Sequence, residues 1–279
     1  MDQPYVEDEP KELSFVDHLE ELRWHLIRAG ASIFVFATIA FLAKSFVFHD
    51  IILAPSRTDF WSYRVMCEVG QYFGTDALCF TEMGFTIQSR QMSGQFAMHL
   101  LVSVILGLAC AFPYAFWEIW RFVKPGLYPQ ERKNSEGAVF FVSILFLMGL
   151  LFGYYIVSPI SINFLAGYQV DPTIINEFDL SSYISTLTTL CLACAFMFEM
   201  PVIVFFLTKA GLVSPETMKL YRRHALIIIL VVGAIITPPD VISQILISMP
   251  LMLLYEVSIQ ISHNIRKKDL KRLNEQNTN

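Results

Sequence analysis

Charge is scarce in this chain. Of its 279 residues only 16% are charged and 54% are hydrophobic, with a mean hydropathy of +0.50. Soluble domains carry about 25% charged and about 45–50% apolar residues, so a water-soluble globule is excluded and a membrane protein is implied. A secretory leader is missing too. Residues 1–25 hold eight acidic side chains against Lys11 and Arg23 and no apolar h-region, so the first apolar run is expected to stay attached. The signatures of catalysis are absent: no G-x-S-x-G, no Walker A, no H-E-x-x-H, and no pair of aspartates inside the apolar runs. His99, near the start of the second run, has no evident base or nucleophile beside it, which counts against an intramembrane hydrolase. No internal repeat is visible, which counts against the alternative class, a small-solute secondary transporter built from inverted halves. No enzyme activity, cofactor, metal or nucleic-acid partner is expected.

What is present is a series of long apolar runs. A crossing needs about 20 apolar residues for about 30 Å of hydrocarbon, and runs at about 26–48, 97–116, 138–157 and 183–207 meet it. Two weaker segments follow, about 225–237 and 241–261, joined by Thr237-Pro238-Pro239-Asp240, where neither proline can continue the preceding helix. The first has twelve strictly apolar or glycine residues, about 18 Å at 1.5 Å per residue. The pair reads as a short helical hairpin, giving six spans within a membrane domain at 26–262, preceded by an N-terminal segment at 1–25 and followed by a tail at 263–279. The segment to Arg28, the connectors 117–137 and 208–224 and the tail hold 3, 4, 4 and 5 Lys or Arg, sixteen of the twenty in the chain. That bias predicts both termini in the cytoplasm.

The opposite side carries a long loop, 49–96, with Cys67 and Cys79, the only two cysteines outside the spans. In an oxidising compartment a bridge between them is one reading and two isolated thiols the other. On the N-terminal side, Phe15, Leu19, Leu22 and Leu26 repeat at three and four, so the segment is expected to lie as an amphipathic helix at the interface before turning inward. His18, Glu21 and His25 share a helical face; solvated side chains, with a Glu21–His25 contact, are the simpler reading than a metal site.

Four stretches carry a resemblance: "HLEELRWHL" entering the first span, "FVKPGLYPQERK" between the second and third, "FEMP" in the fourth, and "TPPDVISQ" joining the last two. In this order and spacing the chain resembles TatC, the polytopic subunit of the twin-arginine protein translocase. The resemblance implies an all-α membrane protein of six transmembrane helices, the last two short, in a concave TatC-like bundle of a bacterial inner membrane. It implies a receptor for the twin-arginine signal peptides of folded cargo, working with the single-span subunits TatA and TatB, in several copies, and driven by the proton motive force. The long first outer loop with its cysteines departs from the family pattern.

The family's recognition carboxylates match Glu21 and Glu131. A guanidinium presents a planar fork that two carboxylate oxygens accept together, whereas an ammonium offers a compact charge. Two separated carboxylates can thus require arginines and discount lysines. Arg121, Lys124, Arg132 and Lys133 surround Glu131 in sequence, and the residues alone allow a local ion pair instead. Phe122 is either a signal-peptide contact or an interfacial anchor beside Trp117 and Trp120, and Arg23 is expected to orient Glu21. Glu199 lies inside the fourth run, two residues before Pro201. A charge at a helix centre costs roughly 2.5–3.5 kcal/mol, so Glu199 is either protonated against a backbone carbonyl or functional, facing water or a partner helix. Pro239, Asp240 and Gln244 stand in the hairpin either as contacts for TatA or TatB or as turn and cap.

Overall fold

A computed structural model of the chain describes residues 15–72, 74–75, 79, 83–124, 137–171, 173–174, 176–236 and 241–277. In chain order these form α1 (Phe15–Leu42), α2 (Lys44–Phe46), α3 (Trp61–Tyr72), β1 (Phe85–Gln88) and α4 (Gly94–Val123). Then come α5 (Ala138–Phe152), a π turn (Gly153–Val157), α6 (Ser158–Gly167), β2 (Asn176–Asp179), α7 (Leu180–Met197) and α8 (Met200–Lys209). The chain closes with α9 (Pro215–Leu220), α10 (Arg222–Ile236) and α11 (Val241–Asn277).

Five stretches among the described residues are long and apolar enough to cross a membrane: Glu20–Leu42, Gly94–Val123, Ala138–Gly167, Leu180–Lys209 and Gln244–Lys267. The bundle is the all-helical membrane fold expected. Helix α10, with fifteen residues, is about 22 Å long and is the short one. The last helix is not short: α11 runs unbroken through Pro250 to Asn277, because no further proline or glycine follows and the Lys-, Arg- and Glu-containing tail favours helix. Nor does the chain turn between an interfacial segment and the first span. Residues 15–29 contain neither glycine nor proline, so α1 is one continuous helix. Phe34, Leu42, Phe140, Met249 and Leu253 stand exposed on the outside, as lipid-facing side chains do.

Between lipid-solvated helices apolar burial offers little net drive, so close backbone approach and buried polar contacts decide the packing. Gly107 of α4 meets α1 so closely that a Cβ there would lie 2.6 Å from the backbone N of Ala37. Gly149 of α5 is in the same position against α7, where a Cβ would stand 2.6 Å from the Cys194 carbonyl oxygen. Toward the end of α1 farthest from the N-terminus, His99 of α4 bonds through Nε2 to the Phe41 carbonyl at 3.0 Å and stacks on the Phe41 ring, centroids 4.1 Å apart.

That far end is capped. The Tyr154 hydroxyl donates to the carbonyl of Ile51 at 2.7 Å and the Tyr183 hydroxyl to that of Ile52 at 2.8 Å, serving backbone acceptors in and at the end of the π turn Val47–Ile52. Tyr63 of α3 reaches the Pro55 carbonyl at 2.8 Å. Strands β1 and β2 pair in parallel, Phe85 opposite Asn176 through Gln88 opposite Asp179, and join the connection before α4 to the one before α7. A disulfide links Cys67 on α3 to Cys79.

Gly107→Leu is expected to wedge α1 from α4 and lower the thermal midpoint of the detergent-solubilised protein, overpacking typically costing about 1–3 kcal/mol. Gly30→Leu, where a Cβ meets nothing within 4 Å, should not lower it. Equal losses in both variants would remove the seam from this role.

Candidate functional site

Helix α4 continues well past Phe116 because Trp117 to Val123 hold neither glycine nor proline. Its last turns therefore place Glu118 on the face toward α1, where the side chain is 1% exposed. His25 of α1, itself 6% exposed, meets it with Nδ1 2.6 Å from Oε2. Tyr114, one turn earlier on α4, donates its hydroxyl to Oε1 at 2.9 Å. The half-exposed Arg28 guanidinium stands 3.9 Å from Oε2. Both carboxylate oxygens are thus served by donors. Deleting one partner of such a buried pair typically costs about 3–5 kcal/mol, because the other is left charged and dry.

Around this pair sit three of the side chains singled out by sequence. Glu21, one turn before His25, is exposed and has no ion-pair partner among the described residues. Arg23 is exposed, its guanidinium 5.5 Å from the Trp24 ring centroid. Phe122, one turn after Glu118, is half-buried, its ring 6.3 Å from that of His25. Arg121 lies over Trp117 at 4.9 Å. His25 therefore turns to Glu118 rather than to Glu21, as the more enclosed acceptor. Among the described residues no group of three His, Cys, Asp or Glu is placed to hold a metal. Glu131 lies outside the described residues, as do Pro239 and Asp240.

Glu118 itself is not among the residues picked out from sequence. With the second span ended at Phe116 it falls in the basic connector and passes for a solvated acid. The signal available was spacing: Tyr114, Glu118, Arg121 and Phe122 share one face only if the helix runs on.

Glu199 sits elsewhere, in the break between α7 and α8. Pro201 has no N–H to give the carbonyl of Met197, so the helix stops, and the Glu199 carbonyl starts the next one by accepting from Val202 at 3.0 Å and Ile203 at 3.1 Å. The residue is 9% exposed, and among the described residues neither carboxylate oxygen has a partner within hydrogen-bond distance, the Phe146 backbone N–H acting on it only from beyond that reach. Pro201 and Val202 beyond it line an apolar groove with Phe141, Leu145, Phe205 and Ile261. Gln244 is turned inward: its Nε2 donates to the Leu230 carbonyl at 3.1 Å and ties α11 to α10.

A family model described as "Sec-independent protein translocase protein (TatC)" matches residues 17–250. The chain is 38% identical over 265 residues to the Sec-independent protein translocase protein TatC of Blattabacterium sp. subsp. Periplaneta americana, covering 94% of this chain and 100% of that one. It is 34% identical over 251 residues to the TatC of Desulforapulum autotrophicum, covering 90% and 84%. A crystal structure of the twin arginine translocase receptor TatC in DDM superposes with a TM-score of 0.68 at 29% identity, covering 88% of this chain and 99% of that one.

A buried carboxylate without partners burdens the fold by about 1–3 kcal/mol. Glu199→Leu is therefore expected to raise the thermal midpoint in detergent; a fall would mean that the acid makes a stabilising contact.

Proposed function

The chain belongs to the TatC family of Sec-independent protein translocase proteins, and from that premise we propose that it is the receptor that takes up twin-arginine signal peptides. As a TatC protein it is a membrane component of the twin-arginine translocase, a protein-transport machine and not a member of a catalytic family. The observation that carries the receptor reading is the end of the α1–α4 pair. There Glu21 is exposed and unpaired, while the helix that bears it is locked to the helix that bears Phe122 through His25 and Glu118.

An exposed carboxylate on a fixed helix is a prepared acceptor for a guanidinium fork, since little helix freedom remains to be lost on binding. Glu131, in the connector that leaves α4, is the second acceptor. Arg23 orients Glu21 by repelling the incoming cations from every approach but the one in which the fork meets both oxygens. Phe122 offers an apolar face to the residues flanking the two arginines. Glu199 keeps a polar point in the α7–α8 break, where the local barrier to polar groups is lowered or a partner helix is met.

The exposed apolar stripe Ile245, Met249, Leu253 and Val257 on α11, and Leu226, Ile227, Val231 and Ile235 on α10, are faces on which the single-span subunits TatB and TatA seat. With Gln244 committed to Leu230, these contacts are chiefly apolar. The bias of Lys and Arg supports cytoplasmic termini, with the disulfide-bearing loop on the far side of the inner membrane. Several copies of the subunit act in one complex, and transport draws on the proton motive force.

Glu131→Gln should abolish export of a twin-arginine cargo with the protein level unchanged; intact export would overturn the role. For the purified protein, replacing both arginines of the peptide by lysines should weaken binding roughly 10- to 150-fold, matching about 1.5–3 kcal/mol for charge-assisted hydrogen bonds. Equal capture of the two peptides would sink the receptor reading.

A further inference from the structure

Glu118 is too deeply enclosed to meet cargo, yet everything that ties the first half of α1 to α4 electrostatically converges on it. Both ion pairs between these helices among the described residues, from His25 and from Arg28, end on its Oε2, and Tyr114 holds its Oε1. The other strong ties of α1 lie far along the helix, at Ala37 against Gly107 and at Phe41 with His99. Ala37 is sixteen residues from Glu21, about 24 Å at 1.5 Å per residue. Ala29, 6% exposed, is buried between these ties, but a methyl group does not fix how the helix end rolls, whereas a directional polar clamp near Glu21 does. His25 follows Glu21 by four residues and so stands almost directly beneath it on the same face. Fixing the His25 ring fixes the direction in which Glu21 looks and its distance from Phe122.

We propose that Glu118 is a positioning residue for signal-peptide recognition: acting through His25, it sets the azimuth of α1 and thereby the place of Glu21 and Arg23 relative to Phe122. The inference rests on the receptor reading and deepens it, adding an acid that never touches the peptide. What the site needs from Glu118 is an acceptor for His25 and a hydrogen-bond partner for the Tyr114 hydroxyl, which can donate or accept, and not its charge as such. A glutamine at the same place still offers its amide oxygen to His25, and an aliphatic side chain of the same size offers nothing.

The experiment uses the full-length protein in detergent, a fluorescent twin-arginine signal peptide, its twin-lysine counterpart, and nitroxide labels at positions 20 and 119 for a distance measurement across the two helices. Glu118→Leu should weaken the twin-arginine peptide by at least about tenfold and broaden the label distance, whereas Glu118→Gln should stay within about threefold of the unmodified protein and keep the distance narrow. Where Glu118→Leu fails to accumulate, His25→Phe, which leaves Glu118 with Tyr114 and Arg28, carries the same expectation. Wild-type affinity in Glu118→Leu or His25→Phe would overturn the proposal, and so would a glutamine variant as weak as the leucine one. Failure of the receptor reading looks different: the unmodified protein would then bind both peptides alike, whatever the label distances do.

Discussion

The seam between α1 and α4 is the contact on which the rest of the arrangement depends. In a hydrocarbon surround an apolar side chain gains little by moving from lipid to protein, so helices are held by atoms that fit closely and by polar groups that have nowhere else to go. This seam has both. Gly107 lets backbone meet backbone at its middle, while His99 with the Phe41 carbonyl and His25 with Glu118 close it toward its two ends. A two-ended polar closure also defines register: sliding α1 by one residue would strand a histidine and a carboxylate in a dry interface, at a cost far above any gain in packing.

The α5–α7 interface works by the same rule with different parts. Gly149 meets the Cys194 carbonyl, and Gly153 would set a Cβ 2.8 Å from the Cα of Cys191. Cys191 and Cys194 are buried there as small, apolar fillers. Against this economy Glu199 stands out. Pro201 obliges the helix to break beside it, and the break leaves a carboxylate buried with no donor in hydrogen-bond reach among the described residues. Such a group adds nothing to the stability of the bundle.

Much of this was legible in the sequence, and the reasons for the rest are physical. Hydrophobic runs and the order of four short motifs were enough for the helical membrane fold and the TatC family, because hydrocarbon tolerates so few backbone solutions. Glu199 was legible because an acid within an apolar run is conspicuous. Glu118 was not: it sits beyond the last strongly apolar residue of its span, among basic neighbours, and its partner His25 is 93 residues away. Periodicity within one helix says which face an acid is on, not which distant residue comes to that face. The straight continuation of α1 and the length of α11 escaped for a related reason. A change from apolar to polar composition marks the edge of a membrane, and a helix made of good formers crosses that edge without ending.

The parallel pairing of β1 with β2 also orders events in time. Gln88 and Glu177, bonded across this small sheet, are 89 residues apart, whereas Cys67 and Cys79 are separated by only 12. At about 5–20 residues per second of synthesis, the first strand waits on the order of 5 to 20 s for its neighbour to be made. The covalent clasp spans so little chain that it can close while the sheet edge is still bare, whereas the sheet has to wait for the connection before α7 to be made.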